Sequence, residues 1–155
     1  IAEASRRSLD ELVPFALETG VRMLLENLPY ACHYPFLVMG ELRPLVDAYP
    51  EAAVGLVVDT GHAWTSGNDP AAEIRTAGSR LWGTHLQDVD GDDPQDNHWV
   101  PTHGGLDWTS IRNALDETGY AGVLTFEVIA ARHGETPADL ARLMRAVVDG
   151  WGLCA

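Results

Sequence analysis

The residues with the most chemical potential stand at the ends of apolar runs. Glu26 closes "VRMLLEN", Asp59 closes "VGLVVD", His85 lies in "LWGTHLQD", and Glu127 lies in "GVLTFEV". Unpaired groups of this kind are costly to bury inside a strand. At the strand's C-terminal end, side chains from neighbouring strands can converge on one cation. Three carboxylates and an imidazole form a mixed oxygen and nitrogen set, which suits Mn²⁺, Mg²⁺, Co²⁺ or Zn²⁺ better than a soft metal. One Glu at a strand end is ordinarily an ion-paired surface residue, and one His is ordinarily structural. Four such residues on four successive strands point instead to a site for one divalent metal ion.

Further polar residues lie nearby. His62 follows Asp59 by three positions and could face the same site. Asp96 and His98 are spaced D-x-H, a chelating pair on a loop. His103 precedes Gly104 and Gly105 in a turn that leads into a helix. Asp88, Asp90, Asp92 and Asp93 crowd "QDVDGDD", which lacks the terminal Glu and flanking helices of an EF-hand and reads as a solvated acidic loop. Trp64, Trp99, Arg132 and His133 are candidates for the rim and walls of a pocket.

Positioning these residues requires regular elements. The spacing predicts helices over 8–20, 39–49, 69–79, 107–119 and 136–151, with Asp69 and Thr136 as N-caps, Asp107 or Thr109 capping the helix between them, and Gly20 and Gly119 at C-terminal ends. Between them lie strands over 21–27, 54–59, 81–88 and 122–128. These are near-continuous apolar runs, which suits a parallel sheet covered on both faces. The order is one helix followed by four βα units. That means either a doubly wound sheet or part of a (β/α)8 barrel. Neither a G-x-G-x-x-G fingerprint nor a P-loop is present, which weakens the nucleotide-binding versions of the first.

Bulk properties set further limits. The 155 residues suffice for one domain, 1–155, and a net charge of −13 opposes nucleic acid and anionic membranes as partners. No stretch reaches the ~20 apolar residues of a membrane span. Cys32 and Cys154 form no C-x-x-C pair. With no apolar signal core near the start, they read as reduced thiols in a cytoplasmic protein. Ile1, where an initiator Met would stand, suggests a processed or partial chain.

In order, "LLENLP", "GLVVDTGHAW", "GTHLQDVDG", "DNHWVPTHGGLDW" and "GVLTFEV" resemble the C-terminal half of the xylose isomerase-like TIM-barrel family. The resemblance implies a partial barrel of about four βα units. It would be completed by an N-terminal half or by association with a second copy. It also implies one metal ion held by Glu26, Asp59, His85 and Glu127. Glu26 and Glu127 would act as acid and base, and His62 would contact substrate oxygens; apart from the resemblance, Trp64 and Arg132 are candidate substrate-binding residues by their positions after Asp59 and Glu127. Asp96 and His98 would be further metal or substrate ligands. The implied activity is isomerisation or epimerisation of a sugar, polyol or keto-acid by proton transfer next to a carbonyl, through a metal-stabilised enediolate. The same family includes inosose dehydratases and the endonuclease IV class of phosphodiesterases. A non-catalytic partial barrel is a third reading.

Overall fold

In the computed structural model, residues 2–32, 36–93, 95–129 and 131–151 are described. Cys154 lies outside them, and Cys32 is a free, exposed thiol.

The chain opens with α1 (Ala2–Thr19), followed by β1 (Met23–Glu26). Next come α2 (Met39–Asp47), β2 (Val54–Asp59), α3 (Thr60–Thr65) and α4 (Pro70–Ala77). The rest is β3 (Leu81–Leu86), α5 (Trp108–Glu117), β4 (Leu124–Phe126) and α6 (Pro137–Gly150). The sheet is parallel throughout, in the order β1-β2-β3-β4. The βα alternation is therefore as the apolar runs predict, with β2 at its expected bounds and the other three strands shorter. All six residues of β2 are buried, as a central parallel strand covered on both faces requires. Met39, Leu42, Val46, Ile74, Ile111 and Leu115 of α2, α4 and α5 pack into the same core.

Local signals explain the boundaries. Asp69 accepts the Ala71 N–H, with Pro70 in the first turn of α4. Asp107 accepts the Ser110 N–H at the start of α5, so it is the cap there and Thr109 is not. Thr136 and Asp139 form a reciprocal capping box on α6. Gly20 and Gly119, at φ of 70° and 67°, turn the chain out of α1 and α5 in the left-handed region that glycine tolerates.

The helix at 8–20 is longer than its apolar pattern suggests and begins at Ala2. The short α3, just past Asp59, was not foreseen.

The solvated acidic loop needs a larger correction. Asp92 and Asp93 are exposed, but Asp88 is completely buried. Its carboxylate accepts the backbone N–H groups of Val89, Gly104 and Leu106 and the Trp108 indole N–H, at 2.7 to 3.2 Å. A Cβ on Gly104 would stand 2.3 Å from this carboxylate, so the loop closes on Asp88 only with glycine there. Asp88 is the internal anchor of the loop from 88 to 106.

Candidate metal centre

Parallel pairing carries the strand ends to one edge of the sheet. Asp59 is in register with His85, and Glu26 with Val57 on the same central strand. The Glu127 N–H donates to Leu86 O, which carries Glu127 to the same edge just past β4. One ligand atom from each of Glu26, Asp59, His85 and Glu127 lies within 4.8 Å of the others. The four residues singled out by their strand ends therefore form one cluster.

His85 is its centre. Nδ1 stands 3.0 Å from Glu26 Oε1 and 2.9 Å from Glu127 Oε2. Asp59 is fully buried. It also caps α3, its Oδ1 accepting the His62 N–H at 2.8 Å. Next to it, His62 has both ring nitrogens engaged. Nδ1 is 2.8 Å from Asn27 O and 3.3 Å from Glu26 Oε1, and Nε2 is 3.3 Å from Asp96 Oδ2. His98 Nε2 is 3.1 Å from the same Asp96 oxygen, and His98 Nδ1 is 2.9 Å from Glu127 O. Asp96 and His98 thus border the cluster through His62 and Glu127, and His62, Asp96 and His98 form a second group of close donors.

Two neutral amides brace this arrangement, and neither was foreseen. Asn27 clamps the Asp59 backbone, accepting its N–H at 2.8 Å and donating to its carbonyl at 3.0 Å. Gln87 Nε2 donates to Asp96 Oδ1 at 2.7 Å and to Asp59 Oδ1 at 3.1 Å, while Gln87 Oε1 accepts the His98 N–H at 2.9 Å. The available signal was the period of two along a strand, which places Gln87 on the same face as His85.

The charges compensate one another. Burial pushes the Glu26 carboxyl up, but hydrogen bonds from His62 and His85 outweigh it and hold the group at about 2. Burial likewise opposes ionisation of Asp96, and His62 and Gln87 bring it to about 2. Burial dominates at Asp59 and lifts it to about 6, against the pull of His62. Burial alone would lower His62, but its bonds to Asp96 and Glu26 and the nearby Asp59 raise it to about 11. His85 is raised first by its hydrogen bond to Glu26. A protonated His62 therefore balances carboxylates brought close together out of water. Such a donor set fits a divalent cation, with hard oxygens and one borderline nitrogen.

Trp64 and Arg132 lie to one side. With Asp90, Gly91, Asp92, Gly104 and Gly105 they line a recess of about 410 Å³. The Arg132 guanidinium stacks 4.3 Å from the centre of the Trp99 ring.

Residues 2–147 match the family model described as xylose isomerase-like TIM barrel. An uncharacterised protein of Sinorhizobium fredii, y4fM, is 30% identical over 127 residues, which are 82% of this chain and 40% of that protein. A D-psicose 3-epimerase of Enterocloster bolteae is 29% identical over 134 residues, 86% of this chain and 42% of the epimerase. The solved D-psicose 3-epimerase of Clostridium cellulolyticum H10, with D-tagatose, superposes with a TM-score of 0.80 at 25% identity, covering 97% of this chain and 55% of that one. The chain spans about two fifths of the length of these curated relatives.

Proposed function

The chain belongs to the xylose isomerase-like TIM-barrel family, as a partial barrel of four parallel strands with their helices, and from that premise we propose that it carries the catalytic centre of a divalent-metal-dependent sugar or polyol epimerase or isomerase. The observation that carries this reading is that Glu26, at the end of β1, and Glu127, just past β4, converge on His85 Nδ1, at 3.0 and 2.9 Å. Two carboxylates flanking one small site are what proton removal on one face and return on the other require.

Glu26, Asp59, His85 and Glu127 would hold the ion. When bound, it supplies the Lewis acidity that polarises a substrate carbonyl and acidifies the adjacent C–H. One glutamate takes that proton and leaves an enediolate. The other returns a proton to the opposite face in epimerisation, or to the neighbouring carbon in isomerisation. Asp59 is bonded to the His62 N–H and to Gln87, and therefore contributes charge without moving. His62 reaches a substrate oxygen through Nε2 by exchanging Asp96 for it. Trp64 and Arg132 offer an apolar wall and a cation, suited to an unphosphorylated sugar, polyol or keto-acid.

The test is incubation of the intact protein and Mn²⁺ with D-psicose, D-tagatose and an inosose in D₂O. Formation of an epimer or isomer, with deuterium entering at the carbon beside the carbonyl, is the expected result. Loss of water without an epimer would identify a dehydratase. Neither product nor deuterium, with metal bound, would overturn the catalytic reading. A phosphodiesterase is the second reading, because His62, Asp96 and His98 form a second donor group beside the first. The net charge of −13 counts against a nucleic-acid substrate, and cleavage of an abasic-site duplex decides the matter.

A further inference from the structure

A third donor cluster lies outside this centre and shares no residue with it. His103 comes from the loop after β3, and His133 and Glu135 come from the loop after β4. One ligand atom of each lies within 4.8 Å of the others. We propose that His103, His133 and Glu135 form a separate divalent-metal site, taking a borderline ion such as Zn²⁺ or Ni²⁺, that clips these two loops together.

The local geometry prepares the ligands. Glu135 Oε2 accepts the His133 backbone N–H at 2.7 Å, across a turn in which Gly134 adopts a φ of 81°. That bond fixes the carboxylate and leaves Oε1 directed at His103, where Nδ1 stands 3.7 Å away. The gap is too long for a hydrogen bond. It is close to the roughly 3.4 Å that separates two ligands bound to one zinc at roughly 2.0 to 2.1 Å each. The His103 and His133 rings complete the site, with centroids 6.1 Å apart and planes inclined at 46°. On the opposite loop, the His103 N–H is tied to Val100 O, and Thr102 holds a φ of 75°. Both donor backbones are therefore set by their own turns.

The donor types choose the metal. Two imidazoles and one carboxylate favour Zn²⁺, Ni²⁺ or Co²⁺ over Mg²⁺ or Ca²⁺, which prefer oxygen. His133 is exposed and His103 is partly so, which leaves the fourth position open to water. The two loops also carry Asp96 and His98, and Glu127 and Arg132. An ion at this point would hold the borders of the main centre in place without touching it.

The test is zinc titration of the intact protein, stripped with a chelator, beside a His103→Ala/His133→Ala double variant and a Glu135→Gln variant. The double variant is expected to bind one zinc fewer per chain than the native protein. Glu135→Gln is expected to weaken that same site at least tenfold. Equal zinc content in native protein and double variant would overturn the proposal, whatever the total. If the double variant does not fold, His133→Ala alone decides, because that side chain is exposed. Unchanged zinc number and affinity in the single variant would also overturn it.

Discussion

Asp59 and His62 are joined through the backbone: the Asp59 carboxylate accepts the His62 N–H at 2.8 Å and thereby caps α3. The D-x-x-H spacing is thus the spacing of an N-cap and the third helical residue. It fixes the carboxylate at the strand mouth and brings the imidazole Nδ1 to 3.3 Å from Glu26 Oε1. One local bond positions a candidate ligand and its neighbour together. Substitution can separate the two roles. Asn caps a helix as well as Asp does but carries no charge. Asp59→Asn should therefore fold with a cation-free stability within about 1 kcal/mol of the native protein, while Mn²⁺ affinity falls at least tenfold. Asp59→Ala should lose about 1 kcal/mol more, through the missing cap. Urea denaturation in chelator and calorimetric Mn²⁺ titration check both. Native-like Mn²⁺ binding in Asp59→Asn would remove Asp59 from the ligand set.

Gly61 lies inside α3, where alanine would ordinarily stabilise a helix by about 1 kcal/mol. Here a Cβ would stand 2.4 Å from Gln87 Cδ. Gln87 must then move, and it loses its bonds to Asp59, Asp96 and the His98 N–H. The clash and the lost bonds outweigh the helix propensity. Gly61→Ala should destabilise the protein by about 1 to 3 kcal/mol and weaken the cation site. Adding Gln87→Ala opens the space, so the double variant should be more stable than additivity predicts. Strict additivity in a denaturation cycle would show that the two residues do not press on one another.

Much of this was legible in the sequence, for reasons tied to particular residues. The apolar runs before Asp59 and around His85 marked buried parallel strands, and Asp69 and Thr136 marked helix starts by chemistry that acts within a few residues. The four candidate ligands were visible because each breaks an apolar run. Asp88 was misread because its partners lie far along the chain: Gly104 and Trp108 are 16 and 20 residues away. In "QDVDGDD" nothing distinguishes the buried acid from the exposed ones. Asn27 and Gln87 were missed because neutral amides carry no metal-site signature, and their roles appear only once three strands are side by side. The six-residue α3 is too short to show a helical period.

Titration of the cluster gives the cation-free protein a defined pH profile. Glu26 and Asp96 are depressed from 4.5 and 3.8 to about 2, so the stability they contribute is present above those ordinary values and is lost as pH falls toward 2. Asp59 is raised from 3.8 to about 6, so its contribution is present below 3.8 and is lost as pH rises through 6. His62 is raised from 6.5 to about 11, so its contribution is present below 6.5 and fades toward 11. The thermal midpoint in chelator should therefore be highest near pH 4 and fall on both sides. Calorimetry from pH 3 to 10 measures it. A midpoint that climbs steadily from pH 6 to 9 would contradict this balance of charges.

Glu26 and Glu127 approach His85 from different strands, and each has its own second partner. Glu26 is bonded to His62, and Glu127 lies 3.8 Å from His98. If each serves one face of the substrate, removing one should not silence both half-reactions. Glu127→Gln and Glu26→Gln should each reduce epimerisation at least a thousandfold, since the proton must be both taken and returned. Each variant should still exchange the C–H of the one epimer whose hydrogen faces the surviving carboxylate. The measurement is proton NMR of each epimer in D₂O, with metal content and circular dichroism confirming a loaded, folded variant. Exchange from both epimers in either variant would show that a single base serves both faces. Substantial epimerisation by metal-loaded Glu127→Gln would remove Glu127 from the acid–base pair.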